Sequence, residues 1–199
     1  MPLTYANQLT ILRMAFIPCF VLLAIYGHAR AATIVFILAG ITDALDGIVA
    51  RKLEQKTLLG SYLDPMADKL LVTAAFVTLT VPSVPVSFHV PVWFTVTTIS
   101  RDVLIALIAL IIHLRTGQTQ FPPSFLGKCA TAAQLLTVGS ALVGNFSSKL
   151  VMVIFHPVVY STFFLTVTSG VHYLFRSVKL IETYQAATAS DGPKRDQDS

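Results

Sequence analysis

The sequence predicts an all-α integral membrane protein, built as a six-transmembrane-helix bundle. Three observations lead there. Of 199 residues, 54% are hydrophobic and only 12% charged, against about 25% charged in an ordinary soluble domain. The apolar residues gather in runs close to the ~20 needed to cross a hydrocarbon core of ~30 Å. Lysine and arginine concentrate in alternate connections between those runs. A water-soluble globule of this composition would expose apolar patches large enough to aggregate. Two cysteines, Cys19 and Cys129, exclude a disulfide-rich scaffold and are expected to pack as small apolar residues. The net charge of +4 comes without a basic run interleaved with aromatics. That excludes nucleic acid as a partner and points the cations at membrane lipids.

The expected spans are 9–27, 32–51, 60–81, 91–114, 128–147 and 150–175. The first is too long, and too closely flanked by polar residues, for a cleaved signal peptide, and further spans follow it. The second is apolar up to Asp43. The third opens on Gly60 and stops before Pro82-Ser83-Val84-Pro85, which carries turn chemistry. The fourth places Trp93 near an interface as an aromatic anchor and encloses Arg101 and Asp102. Gln120-Phe121-Pro122-Pro123-Ser124 breaks the chain again, and Lys128 opens the fifth span. The sixth is rich in phenylalanine, with Phe163 and Phe164 expected to face lipid. A membrane domain over 1–181 is followed by a polar stretch, 182–199, which has a Gly-Pro pair and no periodicity and is expected to be a disordered tail.

Six spans put the N-terminus, the 51–60 and 115–127 connections and the C-terminus on one side. That side collects Arg13, Arg51, Lys52, Lys56, Lys69, Arg115, Lys128, Arg176, Lys179, Lys194 and Arg195, whereas the other holds Arg30 and Lys149. The bias predicts that both termini are cytoplasmic. No internal repeat of the kind many transporters carry is visible.

Charged side chains inside a bilayer cost about 2.5–3.5 kcal/mol each at mid-membrane on insertion scales. Asp43, Asp46, Asp64 and Asp68 nevertheless lie within or at the cytoplasmic ends of the second and third spans. The first two are spaced i,i+3 and the last two i,i+4, so each pair shares a helix face. Two such pairs on neighbouring helices can surround a hard cation such as Mg²⁺, Mn²⁺ or Ca²⁺ with oxygen ligands. Gly47 and Ala50 fall near the face of Asp43 and leave the backbone open, Arg51 adds a guanidinium, and Gly60 precedes Asp64 by one turn. This is a polar metal site at the cytoplasmic end, arranged for a metal-bound phosphate ester.

The pattern Asp43-x2-Asp46-Gly47-x2-Ala50-Arg51-x8-Gly60-x3-Asp64-x3-Asp68 resembles the full signature of the CDP-alcohol phosphatidyltransferase family. All eight positions match without insertion, and Asn7-x-Leu9-Thr10-x2-Arg13 is similar to family members at the start of the first span. The resemblance implies that Asp43, Asp46 and Asp64 hold Mg²⁺ or Mn²⁺ with Asp68 completing the site, and that Asp68 is also the general base toward the acceptor hydroxyl. It implies that Gly47, Ala50, Arg51 and Gly60 line the CDP moiety. The implied reaction breaks the pyrophosphate of CDP-diacylglycerol, transfers the phosphatidyl group to an alcohol and releases CMP. A homodimer in the cell (inner) membrane is implied as well.

Within the family the pattern is most similar to the phosphatidylglycerophosphate synthase and CMP-forming cardiolipin synthase branch, through Leu63-Asp64-Pro65-x-Ala67-Asp68-Lys69 and Ser100-Arg101-Asp102. The Gly-Lys-x-Lys-Thr element of phosphatidylglycerophosphate synthases reads Gly127-Lys128-Cys129-Ala130-Thr131 here, so one lysine is missing. Glycerol 3-phosphate is the first expected acceptor, with Arg101, Arg115 and Lys128 supplying anion contacts. Phosphatidylglycerol is the alternative. Plainer readings stand beside these. Asp64-Pro65 can be a helix cap followed by proline at the first helical position. Asp43 and Asp46 can mark an ion pathway of a cation channel or carrier. Arg101 and Asp102 can neutralise each other, and Lys128 can snorkel to headgroups. His28, His89, His113, His156 and His172 form no metal spacing.

Overall fold

The computed structural model describes residues 5–52, 58–116, 125–146 and 148–190, with side chains at 10–42, 66–112, 114, 125–146, 149 and 151–178. These residues form six helices: α1 Tyr5–Ile25, α2 Ala29–Lys52, α3 Leu58–Thr80, α4 Val92–Thr116, α5 Phe125–Val143 and α6 Ser148–Ser190. They follow the six expected spans in order, and no strand occurs among the described residues. Val92–Ile112, Phe125–Val143 and Val151–Val178 are long and apolar enough to cross a membrane, and Thr10–Ile25 and Ala29–Thr42 are shorter apolar stretches. The chain is a multi-pass membrane protein.

Helix ends follow local chemistry. At the end of α1, His28 N–H donates to Leu23 O at 2.8 Å and Gly27 N–H to Ala24 O at 3.2 Å. Both bonds require a residue at positive φ between them, and Gly27 supplies it at 83°. The segment after α3 tucks Val84 and Val90 into the core, and Val90 N–H donates to Leu79 O at 3.0 Å. α3 begins at Leu58, so Asp64 and Pro65 lie inside the helix and the capping reading of Asp64 does not hold. α6 runs on through Glu182 to Ser190, past the expected boundary at 181. Alanine favours helix there and no glycine or proline intervenes before Gly192-Pro193.

α1 packs on α2 and α3, α5 along α6, and α4 on α6 and α3. Ala24, Ala32, Ala39, Ala67 and Ala75 are fully buried, letting helices approach closely, as membrane bundles require. Ring pairs fill the remaining space: Phe20 with Phe36 at 5.7 Å and Phe76 with Phe94 at 5.4 Å. Lipid tails are as apolar as these side chains, so burial alone does not hold such helices together, and hydrogen bonds add to the packing. Thr80 and Thr95 hydroxyls join α3 to α4 at 2.6 Å, and Thr137 and Thr162 join α5 to α6 at 2.9 Å. Phe164 is exposed as expected, but Phe163 is half-buried against Trp93 at 5.0 Å, which also stacks on Tyr160. The anchor at Trp93 therefore uses Phe163 as a support rather than leaving it to lipid. Cys19 is exposed and Cys129 half-buried, both as free thiols.

A Cβ placed on Gly144 would overlap the ring edge of Phe88, whose ring contacts Phe155 at 5.3 Å. Gly144→Ala is therefore expected to lose about 1–3 kcal/mol of stability through overpacking. Thermal unfolding in detergent would read this as a lowered Tm; an unchanged Tm would mean that Phe88 gives way without cost.

Candidate functional site

The eight motif positions divide between two consecutive helices. Asp43, Asp46, Gly47, Ala50 and Arg51 belong to the last part of α2, and Gly60, Asp64 and Asp68 to the first half of α3. Apart from Asp68, the side chains at these positions, Asp43, Asp46 and Asp64 included, lie outside the described residues. Among the described residues no group of three His, Cys, Asp or Glu side chains comes together. As a donor set, the four aspartates offer only carboxylate oxygen, which suits a hard divalent cation and not a thiophilic one.

Asp68 is half exposed, and its Oδ1 accepts a hydrogen bond from Nη1 of Arg13 on α1. Arg13 itself is fully buried. The sequence placed it among the cytoplasmic surface cations; the fold instead turns it inward, because α1 packs on α3 and brings the guanidinium to the motif. A charge-assisted pair of this kind fixes the carboxylate in one orientation. The spacing Thr10-x2-Arg13 was the only hint, since i,i+3 places both on one face; both prove buried.

Next to Asp68 in the chain, Lys69 leads into a cavity of about 830 Å³ between α3, α4, α5 and α6. Its charged lining is Lys69, Arg101, Asp102 and Lys128, joined by Thr131 and Tyr173. Asp102 bridges two of the cations: its Oδ2 accepts from Lys69 Nζ at 2.6 Å and its Oδ1 from Arg101 Nη1 at 2.8 Å. Arg101 Nη2 donates to Ser169 Oγ on α6 at 2.6 Å, while its Nε is buried without a partner. A Cβ on Gly170 would sit 3.3 Å from Arg101 Cγ, so the missing side chain makes room for the arginine stem. The expected pairing of Arg101 with Asp102 is present, and it leaves an excess of positive charge. Three described cations face one carboxylate.

Of the expected acceptor residues, the structure brings Arg101 and Lys128 into one cavity. Arg115 belongs to α4 but its side chain lies outside the described residues. Sequence reasoning missed Lys69, Ser169 and Tyr173 as site residues. Thr162, Thr166, Ser169 and Tyr173 recur at helical spacing in α6, a polar stripe in an otherwise apolar helix. That stripe was the available signal for the last two.

A family model described as CDP-alcohol phosphatidyltransferase matches residues 3–168. The chain is 34% identical over 194 residues to the CDP-diacylglycerol–glycerol-3-phosphate 3-phosphatidyltransferase of Bacillus subtilis (strain 168), covering 89% of this chain and 96% of that protein. It is 33% identical over 174 residues to the enzyme of the same name from Haemophilus influenzae, covering 83% and 89%. It is also 32% identical over 200 residues to the CMP-forming cardiolipin synthase of Homo sapiens, covering 91% of this chain and 65% of that one.

Proposed function

Because this chain belongs to the CDP-alcohol phosphatidyltransferase family and is a CDP-diacylglycerol-dependent phosphatidyltransferase, we propose that its acceptor is glycerol 3-phosphate and its products phosphatidylglycerophosphate and CMP. The observation that carries the acceptor is the cationic cavity of Lys69, Arg101 and Lys128, which begins one residue after Asp68. A phosphate monoester is a dianion, and a pocket with three cations and one carboxylate complements it. The names of the Bacillus and Haemophilus relatives agree with that choice.

In this reading Asp43, Asp46, Asp64 and Asp68 hold Mg²⁺ or Mn²⁺, which supplies charge neutralisation at the pyrophosphate when bound. Gly47, Ala50, Arg51 and Gly60 line the CDP moiety, with Arg51 toward its phosphates. Arg101 and Lys128, helped by Lys69 and by Arg115, hold the acceptor phosphate. Asp68 accepts the proton of the acceptor hydroxyl; the hydroxyl oxygen bonds to the phosphatidyl phosphorus, and the phosphorus–oxygen bond to CMP breaks. Arg13 keeps the Asp68 carboxylate aimed for that transfer. The reading places the six helices as six spans of the cell (inner) membrane with both termini cytoplasmic, a membrane domain over 1–181, and two copies paired as a homodimer.

A second reading has its own observation. Val103, Ala106, Ala109 and Leu135 give the cavity an apolar wall, and Ala130 stands where a second lysine is expected. An acceptor carried on a lipid, phosphatidylglycerol, fits that wall and would make the chain a CMP-forming cardiolipin synthase, as the human relative is named. Purified protein supplied with CDP-diacylglycerol and Mg²⁺ or Mn²⁺, and separately with each acceptor, decides between them by mass spectrometry of the lipid product. CMP release is expected only with an acceptor, with phosphatidylglycerophosphate as the main product, and is expected to stop after EDTA. Cardiolipin without phosphatidylglycerophosphate would transfer the assignment to the second reading, and turnover that survives EDTA would overturn the metal role.

A further inference from the structure

A second cavity, about 720 Å³, lies at the opposite end of the bundle, where the connections after α1, α3 and α5 converge. Arg30 precedes Asp43 by 13 positions of one helix, a rise of about 20 Å, so this cavity is remote from the aspartate motif. Its polar lining is His28, Arg30, Ser87 and Asn145. Asn145 fastens the three connections together: its Oδ1 accepts from Ser87 N–H at 3.0 Å, its Nδ2 donates to Thr33 Oγ1 at 3.3 Å, and its backbone oxygen accepts from Arg30 Nε at 3.3 Å. That last bond is the only one the Arg30 side chain makes among the described residues, so both terminal nitrogens of the guanidinium remain available to a ligand.

The decisive feature is charge. The ten acidic residues of the chain all lie at 43–68, at 102 or beyond 181; none falls in the 25–31, 81–91 or 143–149 segments that build this end. Arg30 and Lys149, with His28 and His89 nearby in those segments, have no carboxylate there to balance them. A guanidinium at a membrane boundary, held in place by its Nε and without a counter-ion among the described residues, calls for an anion from outside. Exposed apolar groups flank the cavity, with Tyr26 at 75% and Phe146 at 52% exposure. A tyrosine such as Tyr26 belongs at headgroup depth.

We propose that the Arg30–Asn145 cavity binds the phosphate of an anionic membrane lipid in the leaflet opposite the aspartate motif. The site is separate from the acceptor cavity and does not depend on which alcohol that cavity takes. Full-length protein in detergent tests it by lipid titration with phosphatidic acid, phosphatidylcholine or inorganic phosphate, read by native mass spectrometry and thermal shift. Phosphatidic acid is expected to bind and raise Tm, with phosphatidylcholine and millimolar phosphate doing far less. Arg30→Gln is expected to weaken the bound lipid about tenfold or more. Ser87→Asp, which puts a negative charge in the cavity and leaves the Arg30–Asn145 bond in place, is expected to do the same, whereas Ser87→Asn behaves as wild type. Equal phosphatidic acid binding by wild type, Arg30→Gln and Ser87→Asp would overturn the proposal. Inorganic phosphate binding as tightly as the lipid would overturn the lipid as its occupant.

Discussion

Asp68→Asn is expected to lower CMP release about 10²–10⁴-fold, the usual contribution of a positioned general base, while the protein keeps its helical content. Asparagine preserves shape and can still accept from Arg13 through its amide oxygen, so the change removes proton acceptance and one charge. Because the same residue is proposed to complete the metal site, the variant should be assayed across a wide Mg²⁺ or Mn²⁺ titration. Activity restored at high metal concentration would assign the loss to ligation; a loss that persists at saturating metal is expected, and marks the proton-transfer role. Normal turnover would remove Asp68 from both roles. Arg13→Gln provides the companion measurement, since it disturbs the orientation of Asp68 without removing the carboxylate, and its defect is expected to be the smaller one.

Arg101→Gln is expected to lower kcat/KM for glycerol 3-phosphate about 10–100-fold, with KM for CDP-diacylglycerol little changed. The loss corresponds to one charge-assisted hydrogen bond to the acceptor phosphate, about 1.5–3 kcal/mol. A purely structural role for the arginine predicts something different. Its bond to Ser169 at 2.6 Å ties α4 to α6, so structural damage would lower Tm and affect both substrates alike. Asp102→Asn supplies the contrast: it removes the carboxylate that competes with the acceptor for Arg101 and Lys69, and its KM for glycerol 3-phosphate is expected to fall. An unchanged acceptor KM in both variants would take the phosphate out of this cavity.

The order and approximate extent of the helices were legible in the sequence because hydropathy is summed over some twenty residues and survives local exceptions. The end of α6 was not. The polarity ruler stops where lipid exposure stops, but the backbone of an alanine-containing segment keeps its helical bonds where no breaker intervenes, and none does between Glu182 and Ser190. The aspartate motif was legible as spacing along two helices, since i,i+3 and i,i+4 are properties of one helix. The partners of those residues were not, because they are set by packing between helices. Arg13 and Asp68 are 55 residues apart, and beyond the i,i+3 spacing to Thr10 nothing in the α1 sequence says that its arginine is covered rather than wet. The place of Lys69 is hidden for the same reason: which wall it reaches depends on α4 lying beside α3.

The hydroxyl pair Thr137–Thr162 and the amide of Gln134 toward Thr166 at 3.5 Å act as a key between two shafts. Moving α6 one turn along α5 is a slip of about 5.4 Å. It would exchange the partners of these contacts, leave one of them unmade, and at the same stroke carry Ser169 off Arg101 and Tyr173 away from the wall it shares with Lys128. Alignment of the cationic cavity is thus stored in residues that are not part of its wall. Mutational drift at Thr137 or Thr162 would surface as an altered acceptor preference well before it surfaced as an unfolded protein.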